Sequence, residues 1–425
     1  MIDKNEPVYW KCTLSDGDHR RLFGLFGLRP VVIILSAALP EMMVRMYQLH
    51  DKYGYEILCV TKEMKGIQWS PVVKCWFSDP TTMINYLRMR QNRNNVVFFT
   101  IHSAVNWQSL DRLRQVVPDA KIISFVYDWQ NLFVPREKLS VWDEYADSGS
   151  KYALAEADVI DKALEGRMCD AIIHGDYGDN WEYVCARPLP GGSYWIPRSQ
   201  SKEIYQPMPS VEVENRCVFL ATVLDKKRFA KTNVLFPETN IINVQRRVCD
   251  AGYKIDIFSL NPRPEVVEEY NKEFPHKMVR IHQGMPIRQL LPVLSGRYKY
   301  GMMLYEWETH VTDNHDAVTL PTKFFTYLAL GVPVLASARL KSVCRFIREL
   351  GVGVIFEDGD TFKFKEKMAT VDYAALRKNV EAVRFKFASE EFDERFCTVF
   401  KNVVELPKEQ TVWWKIHNGT NSSGK

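Results

Sequence analysis

The chain has 425 residues, 46% hydrophobic and 25% charged, with a formal net charge of +4. That balance excludes a disordered or fibrous chain and leaves room for two domains with a core each. It permits attraction to phosphates or anionic surfaces without requiring nucleic acid.

Nine cysteines form no C-x-x-C pair, and no His/Cys cluster has metal-ligand spacing. Reduced thiols in a cytosol are therefore expected, not a disulfide framework or a zinc site. The apolar stretch from Leu22 to Leu39, preceded by His19-Arg20-Arg21, has the outline of a secretion signal. Arg29 and Pro30 interrupt it, and Val31 to Leu35 is short and β-branched, so a buried strand is predicted there. No segment reaches the roughly 18 to 20 apolar residues of a membrane span. A soluble, cytoplasmic protein with at most peripheral membrane contact follows, with Trp413-Trp414 beside Lys415 as the one interfacial candidate.

From residue 31 onward the pattern alternates. Apolar runs Val31–Ser36, Glu56–Val60, Val96–Ile101, Lys121–Val126 and Ala171–His174 are short and rich in Val, Ile and Phe, as strands buried on both faces should be. Between them, Glu41–Lys52, Thr81–Arg93, Trp107–Val116 and Lys151–Arg167 carry apolar residues at helical spacing. This predicts a doubly wound parallel sheet. Pro188 to Pro197, with Gly191-Gly192, reads as a hinge.

Two strand ends in this half carry candidate chemistry. His102-Ser103 follows one strand, and Asp128 follows another in Phe125-Val-Tyr-Asp128-Trp-Gln130. Each is either a cleft residue or a helix cap, and the residues alone leave both readings open.

A second series begins at Arg216, with strands expected at Cys217–Thr222, Lys254–Ser259, Val279–Gln283, Lys299–Leu304, Val334–Ala336 and Val352–Phe356. Helices are expected at Thr239–Ala251, Pro264–Phe274, Ile287–Ser295, Pro321–Leu330 and Leu340–Leu350, and a long charged one from about Tyr373 to Val404. Lys226-Lys227-Arg228 follows the first of these strands and is either a phosphate-binding or a solvated basic run. The segment from Tyr305 to Asp316 is dense in polar groups: Glu306 and Glu308 suit ribose hydroxyls, and His310 suits a phosphate.

The stretch Pro321-Thr322-Lys323-Phe324-Phe325-Thr326-Tyr327-Leu328-Ala329-Leu330-Gly331-Val332-Pro333-Val334 is the most informative. Pro321 starts a short helix that Gly331 and Pro333 stop. Free backbone N–H groups, the positive end of the helix dipole and the Lys323 ammonium together suit a diphosphate, and the residues alone leave this reading open beside an ordinary helix-to-strand connection.

The pattern P-x-K-x-x-x-Y-x-A-x-G-x-P-V, followed by an amphipathic helix and Gly351-Val-Gly353-Val-Ile355-Phe, resembles the donor-binding half of GT-B glycosyltransferases. The resemblance is to the retaining group around family 4. It implies two Rossmann-like domains facing each other across a cleft: an acceptor-side domain over residues 1–198, a sugar-nucleotide-binding domain over 199–372, and a C-terminal helix over 373–425 that returns toward the first.

It implies a nucleotide-sugar donor, with a UDP-sugar expected, and a saccharide or lipid-linked acceptor. Lys323, Thr322, Thr326, Lys227, Arg228, Glu306, Glu308 and His310 become donor ligands, Asp128 and His102 acceptor-side catalytic residues, and no metal or other cofactor is expected. The sequence departs from the family where many members carry two glutamates, because Val318 and Thr326 stand there. A phage-type DNA glucosyltransferase, a nucleotide-sugar epimerase and a non-catalytic binding protein of the same fold are the alternatives.

Overall fold

The computed structural model describes residues 10–12, 31–34, 40–60, 75–77, 83, 87, 96–101, 117–126, 169–175, 193–221, 241–260, 262–274, 277–305 and 317–405. Its strands form two sheets. The first has eight parallel strands: β1 (Trp10–Cys12), β2 (Val31–Ile34), β3 (Glu56–Val60), β4 (Cys75–Phe77), β5 (Val96–Ile101), β6 (Lys121–Val126), β7 (Ala171–His174) and β8 (Ser193–Trp195). Their spatial order is β1-β4-β3-β2-β5-β6-β7-β8. The second has six: β9 (Arg216–Leu220), β10 (Lys254–Ser259), β11 (Val279–Gln283), β12 (Tyr300–Met303), β13 (Val334–Ser337) and β14 (Gly353–Phe356). Their order is β11-β10-β9-β12-β13-β14.

Numbered from its own first strand, the second sheet reads 3-2-1-4-5-6, the doubly wound order of dinucleotide-binding domains. The strands β4-β3-β2-β5-β6-β7 repeat that order, with β1 and β8 added at the edges. Each sheet therefore has one point where the winding reverses, between β2 and β5 and between β9 and β12. The apolar runs explain the burial: β7, β12 and β13 are buried at every position, as parallel strands covered on both faces must be.

Three strands are not apparent in the sequence. β1 and β4 have three residues each, and β8 lies within the stretch expected to be a hinge. Segments this short carry no measurable period, and it is the neighbouring strand that makes them extended. On β8, Trp195 packs its ring 6.2 Å from Phe346 and 5.5 Å from Phe392.

The expected long C-terminal helix is broken. Tyr373–Val383 buries Tyr373 and Val380 in the core of the second sheet. Two short 3₁₀ turns follow, separated by extended Ala388 (φ −65°, ψ 149°). Only Asp393–Glu405 packs on the first sheet, burying Phe396, Cys397, Val399, Phe400 and Val403 with Val97, Phe99 and Tyr55. The Phe400 ring lies 5.8 Å from Phe99 and 4.9 Å from Phe396. Each such side chain stabilises by about 1.5–3 kcal/mol through burial.

The chain thus passes between the sheets twice, and the two passages are bonded together. Ser389 donates its backbone N–H to Gln200 O at 2.9 Å, the Lys202 N–H donates to both Glu390 oxygens at 3.0 Å, and Arg377 Nε donates to Pro209 O at 2.7 Å. Tyr205 and Phe385 stack at 5.0 Å.

A buried carboxylate lies on the second sheet. Asp256 accepts from Tyr298 Oη at 3.0 Å and Arg216 Nη1 at 3.2 Å, and lies 2.9 Å from His282 Nε2. Burial alone would raise its pKa, but the hydrogen bonds from His282 and Tyr298 and the charges of His282 and Arg216 outweigh it, so it lies below the ordinary value. A depressed carboxylate stabilises the fold above its unfolded pKa of about 4, and the contribution is lost as pH falls through the lower folded value. The urea midpoint should therefore drop as the pH is lowered below about 4, and Asp256→Asn should flatten part of that drop. An identical acid profile in the variant would remove Asp256 from the account.

Candidate donor site at the crossover of the second sheet

Ligands of doubly wound sheets bind beyond the carboxyl ends of the strands where the winding reverses. In the second sheet this is the crevice between β9 and β12, and the helix Thr322–Leu330 supplies its side chains. All residues from Phe324 to Leu330 are buried, so beyond its first turn the helix is covered on every side. Phe324 and Phe325 pack against Phe346 and Phe387 at 6.0 and 5.9 Å.

Gly331 stops the helix in a left-handed conformation (φ 81°), with Val332 N–H bonding back to Tyr327 O at 3.0 Å. The helix begins at Thr322. Pro321, expected as its first residue, is instead the extended cap, and its carbonyl accepts from Phe324 N at 2.9 Å. Pro321 offers no side-chain cap and no acidic residue lies in the first turn, so the helix's own residues leave the positive end of the dipole open to an anion.

Lys323 sits in that first turn, half-buried. Its ammonium donates to Tyr305 Oη at 3.0 Å and lies 5.4 Å from the ring centres of both Phe219 and Tyr305. Phe219 belongs to β9 and Tyr305 follows β12, so the cation stands across the crossover crevice. Tyr305 is itself held, its N–H donating to Ser337 Oγ at 2.9 Å.

One turn further along the helix, Tyr327 reaches between the same two strands. Its hydroxyl accepts from Leu220 N at 3.1 Å and donates to Met302 O at 3.1 Å. Burial pushes its pKa well up, against a smaller downward pull from Lys323, so the hydroxyl keeps its proton.

Gly301 makes room for this ring. A Cβ at position 301 would lie 2.2 Å from Tyr327 Cγ. Gly301→Ala should therefore displace the ring and destabilise the fold by about 1–3 kcal/mol, the scale of overpacking, read as a lower urea midpoint. A variant as stable as the parent would show that the ring has space to move.

The expected donor ligands divide. Lys323 and Thr322 lie at the helix N-terminus. Thr326 is 3% exposed, and its hydroxyl donates to Thr322 O at 3.0 Å. Lys227, Arg228, Glu306, Glu308 and His310 lie outside the described residues, as do Asp128 and His102. In the chain His102 directly follows β5, Asp128 comes two residues after β6, Lys227 and Arg228 follow β9, and Glu306 directly follows Tyr305.

The sequence assigns no role to Phe219 and Ser337, and it marks Tyr327 only as a fixed position of the P-x-K-x-x-x-Y pattern. The available signals were a tyrosine four residues after Lys323 and a glycine inside an apolar strand, which marks a close approach. Among the described residues no group of His, Cys, Asp or Glu has the arrangement of a metal site, and no helix is long and apolar enough to cross a membrane.

No protein-family model and no curated protein matches the sequence. Solved structures do match in shape. HepE of Anabaena, crystallised with UDP and glucose, superposes with a TM-score of 0.58 at 9% identity over 88% of this chain and 100% of its own. The lipopolysaccharide outer core galactosyltransferase WaaB, in its apo form, gives 0.52 at 9% identity over 88% and 99%. Both are GT-B proteins, and with its two doubly wound parallel sheets this chain has the GT-B fold.

Proposed function

We propose that the protein is a glycosyltransferase that takes a sugar from a nucleoside diphosphate sugar, with UDP-sugars as the donor class. The observation that carries this reading is the Lys323 ammonium in the first turn of a helix whose N-terminus faces the crossover crevice. That arrangement is suited to the diphosphate, whose negative charge grows as the glycosidic bond breaks. The shared fold with HepE, which was crystallised with UDP and glucose, supports the choice of nucleotide.

In this reading Lys227 and Arg228 add positive charge to the phosphates, so that side chains and backbone donors do the work without a metal ion. Glu306 and Glu308 hold ribose or sugar hydroxyls, and His310 hydrogen-bonds a phosphate. On the other domain Asp128 takes the proton of the acceptor hydroxyl or orients it, and His102 is the second acceptor-side catalytic residue. The acceptor is a saccharide or a lipid-linked saccharide, and transfer retains the anomeric configuration, as the family resemblance implies.

One observation favours a second reading, a binding protein without turnover. Where many relatives of that group carry two glutamates, Val318 is buried and the Thr326 hydroxyl is committed to its own helix. Incubation with a panel of UDP-, GDP- and ADP-sugars, followed by assay of free nucleoside diphosphate, separates the two. Slow release of UDP is expected. Binding without release would support the binding protein, and no binding would remove the donor site altogether.

A further inference from the structure

The pairing of β9 with β12 stops early. Its register runs Tyr300 to Cys217 and Gly301 to Val218, yet β9 continues to Leu220 and β12 to Met303. In a parallel ladder the next bond would run from the Leu220 N–H to the Met302 carbonyl. The Tyr327 hydroxyl stands between those two groups, accepting from the first and donating to the second, each at 3.1 Å.

We propose that Tyr327 is a positioning residue whose hydroxyl wedges the carboxyl ends of β9 and β12 apart and so keeps open the crevice beside Lys323. The proposal rests on the donor reading above. Three features support it. The wedge satisfies both backbone groups, which would otherwise be driven to pair directly, since an unpaired buried N–H or C=O is costly. Its ring is seated against Gly301, where a single methyl group would collide with it. The wedge and the cation lie four residues apart on one helix, so the element that opens the crevice also aims the ammonium into it.

Tyr327→Phe keeps the ring and removes the hydroxyl. Leu220 and Met302 are then free to close on each other, and the diphosphate loses its alignment with Lys323. The expected result is a folded variant whose affinity for UDP, measured by titration calorimetry, is about tenfold lower, the scale of one misplaced hydrogen bond to a charged group. The donor KM should rise with a smaller change in kcat. A folded Tyr327→Phe that binds UDP as tightly as the parent, while Lys323→Ala does not, would overturn the wedge and leave the donor site standing. A parent protein that binds no UDP would overturn the donor reading and the wedge with it. Should the variant fail to fold, hydrogen exchange at the Leu220 amide of the unaltered protein decides. UDP should slow that exchange, and an unchanged rate in saturating UDP would overturn the proposal.

Discussion

Lys323→Ala should weaken UDP binding about tenfold to a hundredfold, because a charge-assisted hydrogen bond to phosphate is worth roughly 1.5 to 3 kcal/mol. The side chain is poised for this by what surrounds it. Its ammonium bonds the Tyr305 hydroxyl and faces the rings of Phe219 and Tyr305, so its position is set before a ligand arrives. Truncation leaves the helix N-terminus in place, and a helix end alone contributes about 0.3 to 1 kcal/mol toward an anion at an exposed site. Lys323→Arg should recover only part of the loss. A planar guanidinium is wider than an ammonium and must fit between two aromatic rings. Titration calorimetry with UDP and UDP-sugars is the measurement, with thermal unfolding to verify that the variants are folded. Unchanged affinity in Lys323→Ala would assign the crossover crevice to a different ligand.

Asp128→Asn should slow turnover by about two orders of magnitude or more, the usual scale for a lost general base, while leaving stability and UDP affinity unchanged. An asparagine keeps the size and the capping ability of the aspartate but cannot take a proton from an acceptor hydroxyl. Asp128 follows β6, in the first sheet, whereas the donor crevice belongs to the second. The two variants therefore separate the two halves of the reaction: Lys323→Ala acts on donor binding, and Asp128→Asn acts on the rate with donor bound. Steady-state release of UDP in the presence of acceptor reads the second. An asparagine variant with full activity would make Asp128 a helix cap.

The sequence made the architecture legible because parallel strands are covered on both faces. Runs such as Val31 to Ile34 and Val96 to Ile101 announce themselves by composition, and the helix Pro40–Tyr53 follows the first of them at amphipathic spacing. The donor helix was legible for a related reason: a proline before it, a glycine at its left-handed end and a lysine in its first turn are local requirements, satisfied within a dozen residues.

The break near Ala388 was not legible. The residues from Tyr373 to Val404 include no Gly or Pro, and what divides them is that Val380 belongs to one core and Phe400 to the other. The short edge strands and the insertion of Tyr327 between β9 and β12 have the same origin. Each depends on a partner distant in the chain: Cys75 for Trp10, Leu220 and Met302 for Tyr327. By itself, then, the sequence determined the alternation of buried strands and helices and the place of a cationic helix N-terminus, because these follow from local chain stereochemistry and burial. Only the tertiary structure decided that a tyrosine hydroxyl replaces a rung of the sheet beside that cation. A hydrogen bond between residues more than a hundred positions apart leaves no period in the chain, and it exists only once the strands have been brought together.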